Sequence, residues 1–152
     1  MISFEKQLFI NRPQQEVFDY ASNPANDVQW RDGVVSVAWI TDGPPGVGSR
    51  QRQVDKFLGR KIDSTLEITS WNPPHRYSQK IVSGPVPFEV TIEFEAMEGG
   101  TQLSVSGQAE FGGFFKLAEG LIRKQFEKQL EAEFSNLKQL LEKPQRVSEH
   151  EI

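Results

Sequence analysis

Between Asp42 and Gly100 the chain is cut by five turn signals: Asp42-Gly43-Pro44-Pro45-Gly46, Leu58-Gly59, Asn72-Pro73-Pro74, Gly84-Pro85-Val86-Pro87 and Glu98-Gly99-Gly100. Gly and Pro at these points bend the backbone or deny it a ladder hydrogen bond. The stretches between them, about eight to eleven residues, are too short for parallel crossovers, so consecutive antiparallel strands in a meander are expected. A different period closes the chain. Phe114 to Glu142 has no proline and one glycine, Gly120, and its apolar residues Phe114, Ala118, Leu121/Ile122, Phe126, Leu130, Phe134, Leu137 and Leu141 recur at helical spacing. One long helix lying against a sheet is predicted there.

The first strand reads as Ile2, Phe4, Leu8 and Ile10 alternating with more polar positions, Phe9 excepted, and ends at Asn11-Arg12-Pro13. Pro13, Glu16 and Asp19 favour a short helix with Val17, Phe18 and Ala21 on its apolar side. A second short helix is expected from Pro24 to Trp30, followed by a strand from Val34 to Ile40. The fold class is therefore α+β: a curved seven-stranded antiparallel sheet wrapped around a long C-terminal helix, with two short helices after the first strand.

Pairing the strands tests the register. Closing the Met97 to Gly100 loop sets Phe94 opposite Leu103, Ile92 opposite Val105 and Val90 opposite Gly107, leaving Glu93, Glu95, Gln102 and Ser104 on the other face. Closing Gly84 to Pro87 sets Ile81 opposite Val90, Gln79 opposite Ile92, Tyr77 opposite Phe94 and Arg76 opposite Glu95. Closing Leu58-Gly59 puts Gln51, Gln53 and Asp55 on one face with Ser64 and Leu66. Both faces of the Ser49 to Phe57 strand are polar, so hydrophobicity alone does not fix how it faces. Gly107 on the concave face reads two ways, as an omitted side chain that leaves space or as a bulge.

Composition narrows the chemistry. The 152 residues are 37% hydrophobic and 25% charged, enough apolar material for one core. A single domain over 1–143 with a polar tail over 144–152 is expected. With no cysteine there is no disulfide, thiolate nucleophile or thiolate metal site. The two histidines, His75 and His150, leave little for a metal centre or a Ser-His-Asp triad. No metal and no cofactor is expected. The net charge is −4, and its one basic run, Arg50, Arg52, Lys56, Arg60 and Lys61, reads as a solvated strand face, so no nucleic-acid partner is expected. No membrane span or signal segment is evident, which points to the cytoplasm; monomer and dimer both stay open.

The segments Ile10 to Phe18, Gly46-Val47-Gly48-Ser49-Arg50, Trp71-Asn72-Pro73-Pro74-His75-Arg76 and Gly99-Gly100-Thr101-Gln102-Leu103, in this element order, resemble the START-like (helix-grip) superfamily. Within it they are similar to the bacterial SRPBCC proteins named for polyketide cyclases and lipid transport. The resemblance implies a cavity between sheet and helix that takes a hydrophobic or amphipathic small molecule, lipid-like or polycyclic. The sheet lining is then expected from Leu66, Tyr77, Gln79, Ile81, Phe88, Val90, Ile92, Phe94, Leu103 and Val105. Phe115, Ala118, Leu121, Ile122 and Gln125 are the expected contribution of the helix, with Trp30 and Trp71 beside the mouth. Tyr77, Gln79 and Gln125 would orient the ligand.

Two alternatives remain. A cyclase- or dehydratase-like enzyme needs a base alpha to a carbonyl and a donor for the enolate oxygen; Asp55 as base with Tyr77, Arg60 or His75 as donor is the best set available. An adaptor acting on a partner protein would want an apolar convex sheet face, against which Arg76, Lys80, Glu89, Glu93 and Glu95 argue.

Overall fold

The computed structural model of the protein describes residues 1–143. The expected tail over 144–152 lies outside the described residues. In chain order the elements are β1 (Ile2–Ile10), α1 (Gln14–Ala21), a 3-10 turn (Pro24–Asn26), α2 (Asp27–Trp30), β2 (Val34–Trp39), β3 (Arg50–Phe57), β4 (Arg60–Asn72), β5 (Arg76–Ser83), β6 (Phe88–Met97), β7 (Gly100–Ala109), a second 3-10 turn (Gly112–Phe114) and α3 (Glu119–Glu142). The seven strands form one antiparallel sheet in the order β1-β7-β6-β5-β4-β3-β2, so β2 to β7 is a meander and β1 adds at its far edge. Register shifts between Val34 and Ser36, Thr65 and Leu66, and Ile68 and Ser70 supply bends that curl the sheet. No described helix is long and apolar enough to cross a membrane.

The β6–β7 register is the one read from the sequence: Phe94 faces Leu103 and Ile92 faces Val105. On β3 and β4, Gln51 faces Leu66 and Gln53 faces Ser64, residues expected to share a face. The β5–β6 register differs by two residues. Tyr77 lies opposite Ile92, Gln79 opposite Val90, and Arg76 opposite Glu93 rather than Glu95. A slip of two keeps every side chain on its face, because the strand period is two. Hydrophobic alternation therefore could not detect it.

The long helix begins later than its periodicity suggests. Gly112–Phe114 forms a 3-10 turn, Phe115 and Ala118 are extended, and α3 starts at Glu119. Aromatic packing accounts for the break. Phe111 stacks on Phe57 at 5.2 Å between centroids, and Phe115 meets the same ring edge-on at 5.5 Å. Phe111 and Phe115 are four apart and would lie on one face of a continuous helix, but extending the chain at Phe115 lets both reach Phe57 while Phe114 takes the Arg60 guanidinium on its face at 3.7 Å.

Gly107 is neither a hole nor a bulge. It sits in regular register between Phe4 on β1 and Val90 on β6. A β-carbon there would run into the Glu89 carbonyl oxygen and come within 2.7 Å of Phe4 Cζ. The Phe4 ring fills the space that the glycine leaves. Gly107→Ala should therefore lower stability by about 2 kcal/mol in urea denaturation; a loss under about 0.5 kcal/mol would mean that both the Phe4 ring and the β6 backbone at Glu89 give way freely.

Candidate functional site

A cavity of about 140 Å³ lies between the concave sheet face, α2 and α3. Its apolar wall is built from Phe4, Phe57, Ile62, Val86, Phe88, Val90, Ile92, Val105, Ala109 and Phe111, closed on the helix side by Phe126, Leu130 and Phe134. The rest of the lining is polar: Asp27 and Arg31 from α2 and the residue after it, Gln51, Gln53 and Asp55 from β3, Ser64 from β4, Gln79 from β5, and Gln129 and Glu133 from α3. The polar side chains on the sheet share one face because Gln51, Gln53 and Asp55 alternate along β3, and Ser64 pairs with Gln53.

Arg31 is the hub of this polar lining. Its guanidinium donates to Asp27 Oδ2 at 3.1 Å and to Gln53 Oε1 at 3.2 Å, and its Nε lies 3.9 Å from Glu133 Oε1. Gln53 in turn donates to Asp55 Oδ2 at 3.3 Å, and Gln129 donates to Glu133 Oε2 at 3.1 Å. Asp27 and Glu133 are each 6% exposed, and Gln53 2%. Burial pushes the carboxyls of Asp27, Asp55 and Glu133 above their ordinary range, and Arg31 only partly offsets it for each. One guanidinium shared among three carboxylates cannot compensate them all. Burial also works against the Arg31 cation, but Asp27, Glu133 and Asp55 together outweigh it and its pKa moves upward.

Several expected lining residues are here. Tyr77, Gln79, Phe88, Val90, Ile92 and Val105 line the cavity, as does Asp55, and Trp30 is in its wall with its ring 5.2 Å from Phe134. Gln79 donates to Gln51 Oε1 at 3.4 Å. The Tyr77 hydroxyl is turned away, donating to the Ala21 carbonyl at 3.2 Å, and burial drives its pKa strongly upward.

Others are elsewhere. Phe94 is buried under Phe18 of α1, and Trp71 packs on Phe18 and Tyr77 away from the cavity. Leu103 is fully buried outside the lining, Leu66 is buried beyond it, and Ile81 is half-buried at the β4 pairing. On the helix side, Ala118, Leu121 and Gln125 are exposed, while Phe115 and Ile122 are packed into the core. The reason is the later start of α3, which leaves Phe126, Gln129, Leu130, Glu133 and Phe134 to face the cavity, about two turns further along than expected. Arg60 is held on Phe114, and His75 is exposed beside Gln14, so neither can act with Asp55.

Sequence reasoning missed Asp27, Arg31, Gln51, Gln53, Ser64, Gln129 and Glu133 as lining residues. A signal existed for two: β3 puts Gln51 and Gln53 at alternating positions in line with Asp55, where a strand over a filled core would carry apolar residues. The basic run is neutralised in part, Arg50 pairing with Glu67 at 3.0 Å and Arg52 with Asp63 at 2.6 Å across the β3–β4 ladder. The convex residues Arg76, Lys80, Glu89, Glu93 and Glu95 are all exposed.

The fold is that of known helix-grip structures. It overlays a START superfamily protein from Mycobacterium smegmatis with a TM-score of 0.77 at 14% identity, covering 92% of this chain and 97% of that one. A di-domain aromatase/cyclase, BexL of the BE-7585A biosynthetic pathway, matches with a TM-score of 0.74 at 17% identity, covering 95% of this chain and 51% of that one. In sequence, an uncharacterized protein of Mycobacterium tuberculosis is 25% identical over 137 residues, 86% of this chain and 94% of its own length. The model of the polyketide cyclase / dehydrase and lipid transport family matches residues 1–142, and the chain belongs to that family.

Proposed function

We propose that the protein binds a ring-sized amphipathic small molecule in the cavity between the sheet and α3. The observation that carries this reading is that one cavity is lined both by a cluster of phenylalanines and by hydrogen-bonding side chains, a mixture that suits a ligand with apolar and polar parts. Family membership supports a ligand-binding role. Size narrows the choice: about 140 Å³ is close to an apolar cavity of about 150 Å³ that takes up benzene. A single ring with a short polar substituent fits that space, whereas a sterol, a long acyl chain or a fused polycycle needs more room.

Ile92→Trp should fill the apolar wall and abolish uptake of indole, followed by fluorescence or ligand-observed NMR, with the circular dichroism spectrum unchanged. Val105→Phe, on the neighbouring strand, should weaken uptake at least tenfold. Unchanged uptake in both variants would remove the cavity as the binding site.

One observation favours a second reading. Asp55 lines the cavity with its carboxyl pushed upward by burial, a property shared by catalytic acids and bases. Cyclase- or dehydratase-type turnover that survives Asp55→Asn and Tyr77→Phe together would exclude an enzymatic role for this pair.

A further inference from the structure

A tryptophan side chain has one polar group, the indole Nε1–H, which donates a hydrogen bond and cannot accept one. Buried indoles as a rule find an acceptor. Trp30 does not: it is 3% exposed, and its Nε1 is a buried side-chain nitrogen with no hydrogen-bond partner among the described residues. The residue also lines the cavity.

Two contacts to α3 hold Trp30 where it is. Its ring packs on Phe134 at 5.2 Å between centroids, and its backbone carbonyl accepts from Asn136 Nδ2 at 3.2 Å. Swinging the indole toward a distant acceptor would break the ring contact. The acceptors of the lining already serve other donors: Asp27 and Gln53 take Arg31, Glu133 takes Gln129, Gln51 takes Gln79, and the Ala21 carbonyl takes the Tyr77 hydroxyl. A buried donor without a partner costs free energy that an entering acceptor recovers.

We infer that Trp30 is a ligand-binding residue whose indole N–H donates to an uncharged oxygen of the ligand, a carbonyl or an ether, while the ligand's ring lies among the cavity phenylalanines. The inference rests on reading the cavity as a ligand site and names the polar group that site selects. An ammonium brings donors only and leaves the indole unsatisfied. A carboxylate or phosphate would accept, but Asp27 stands three residues before Trp30 on α2, Glu133 stands beside Phe134 on α3, and with Asp55 these acids already outnumber the Arg31 cation. A hydrocarbon makes the apolar contacts and leaves the donor dry. A neutral oxygen satisfies the donor and adds no charge.

Three single-ring molecules test this on the full chain at pH 7 by ligand-observed NMR: acetophenone, ethylbenzene and benzoate. Acetophenone and ethylbenzene differ in their transfer from water, so the readout is how their affinity ratio changes between the native protein and Trp30→Phe, which keeps an aromatic ring on Phe134 and removes the donor. Trp30→Phe should weaken acetophenone about tenfold and leave ethylbenzene within about twofold. Benzoate should bind the native protein more weakly than acetophenone. In the native protein, the indole N–H resonance of Trp30, identified as the one missing from the variant, should move further downfield with acetophenone than with ethylbenzene; if the variant fails to fold, assignment of that resonance in the native protein carries the test. An unchanged affinity ratio, or a Trp30 resonance that bound acetophenone moves no further than ethylbenzene, would overturn the role of Trp30 and leave the cavity as a ligand site. Benzoate binding as tightly as acetophenone would overturn the uncharged oxygen. No uptake of acetophenone, ethylbenzene or indole would overturn the ligand site itself.

Discussion

Arg31→Met should destabilise the protein by about 3 kcal/mol at pH 7, because it leaves three carboxylates around a buried site with no cation among them. The side chain is 23% exposed and spans Asp27, Gln53 and Glu133. Methionine keeps much of the volume, so most of the loss is electrostatic. Its pH dependence separates charge from packing. Each of the three carboxyls already has a folded-state pKa above its ordinary value, and Arg31 is the influence that restrains the rise. A group of this kind contributes stability that is fully present below its unfolded pKa, about 3.9 for Asp and 4.3 for Glu, and loses it as pH climbs through the higher folded value. Without Arg31 those folded values climb further. The deficit of the variant should thus be large at pH 7 and shrink to less than half by pH 4, measured by urea denaturation at both. An equal deficit at the two pH values would assign the role of Arg31 to packing instead.

Phe18→Ala should cost about 4 kcal/mol and lower Tm by about 10 °C. Phe18 is 2% exposed, and its ring meets those of Phe94, Trp71 and Tyr77 at 5.1, 5.4 and 5.8 Å, all edge-on. It fixes α1 to one end of the sheet, and Ala21 and Ser22 at the end of that helix form part of the cavity wall. Removing the ring should loosen that corner, so the variant should also show faster exchange of the β5 amides. Phe18→Leu should recover about half of the loss. A Phe18→Ala deficit under 1 kcal/mol would show that α1 collapses into the space.

The same corner shows why the site was only partly legible. Phe94 and Leu103 have the alternation of cavity-facing residues, and so do Ile92 and Val105, one pair along the same ladder. Periodicity assigns all four to the concave face. It carries no information on which end of that face α1 covers, and Phe18 covers the Phe94 end. On the helix, the apolar spacing runs unbroken from Phe114, yet the extended backbone at Phe115 and Ala118 moves the start to Glu119 and leaves Leu121 55% exposed. Arg31 and Glu133 drew no notice because each, in sequence, is one charged residue in a polar neighbourhood; their meaning arises when α2, β3 and α3 converge.

The sequence by itself determined the order of elements, the antiparallel meander and the concave faces of β5 to β7, because Gly and Pro punctuation and residue periods are local properties of the chain. Tertiary structure alone decided the two-residue register of β5 on β6, the end of the sheet that stays open and the gathering of three carboxylates on one arginine. Those depend on contacts between residues far apart in the chain, such as Arg31 with Glu133 and Phe4 with Gly107. Their energies come from burial and from charges brought together in a low-dielectric interior, quantities that exist only once the sheet has closed on its helix.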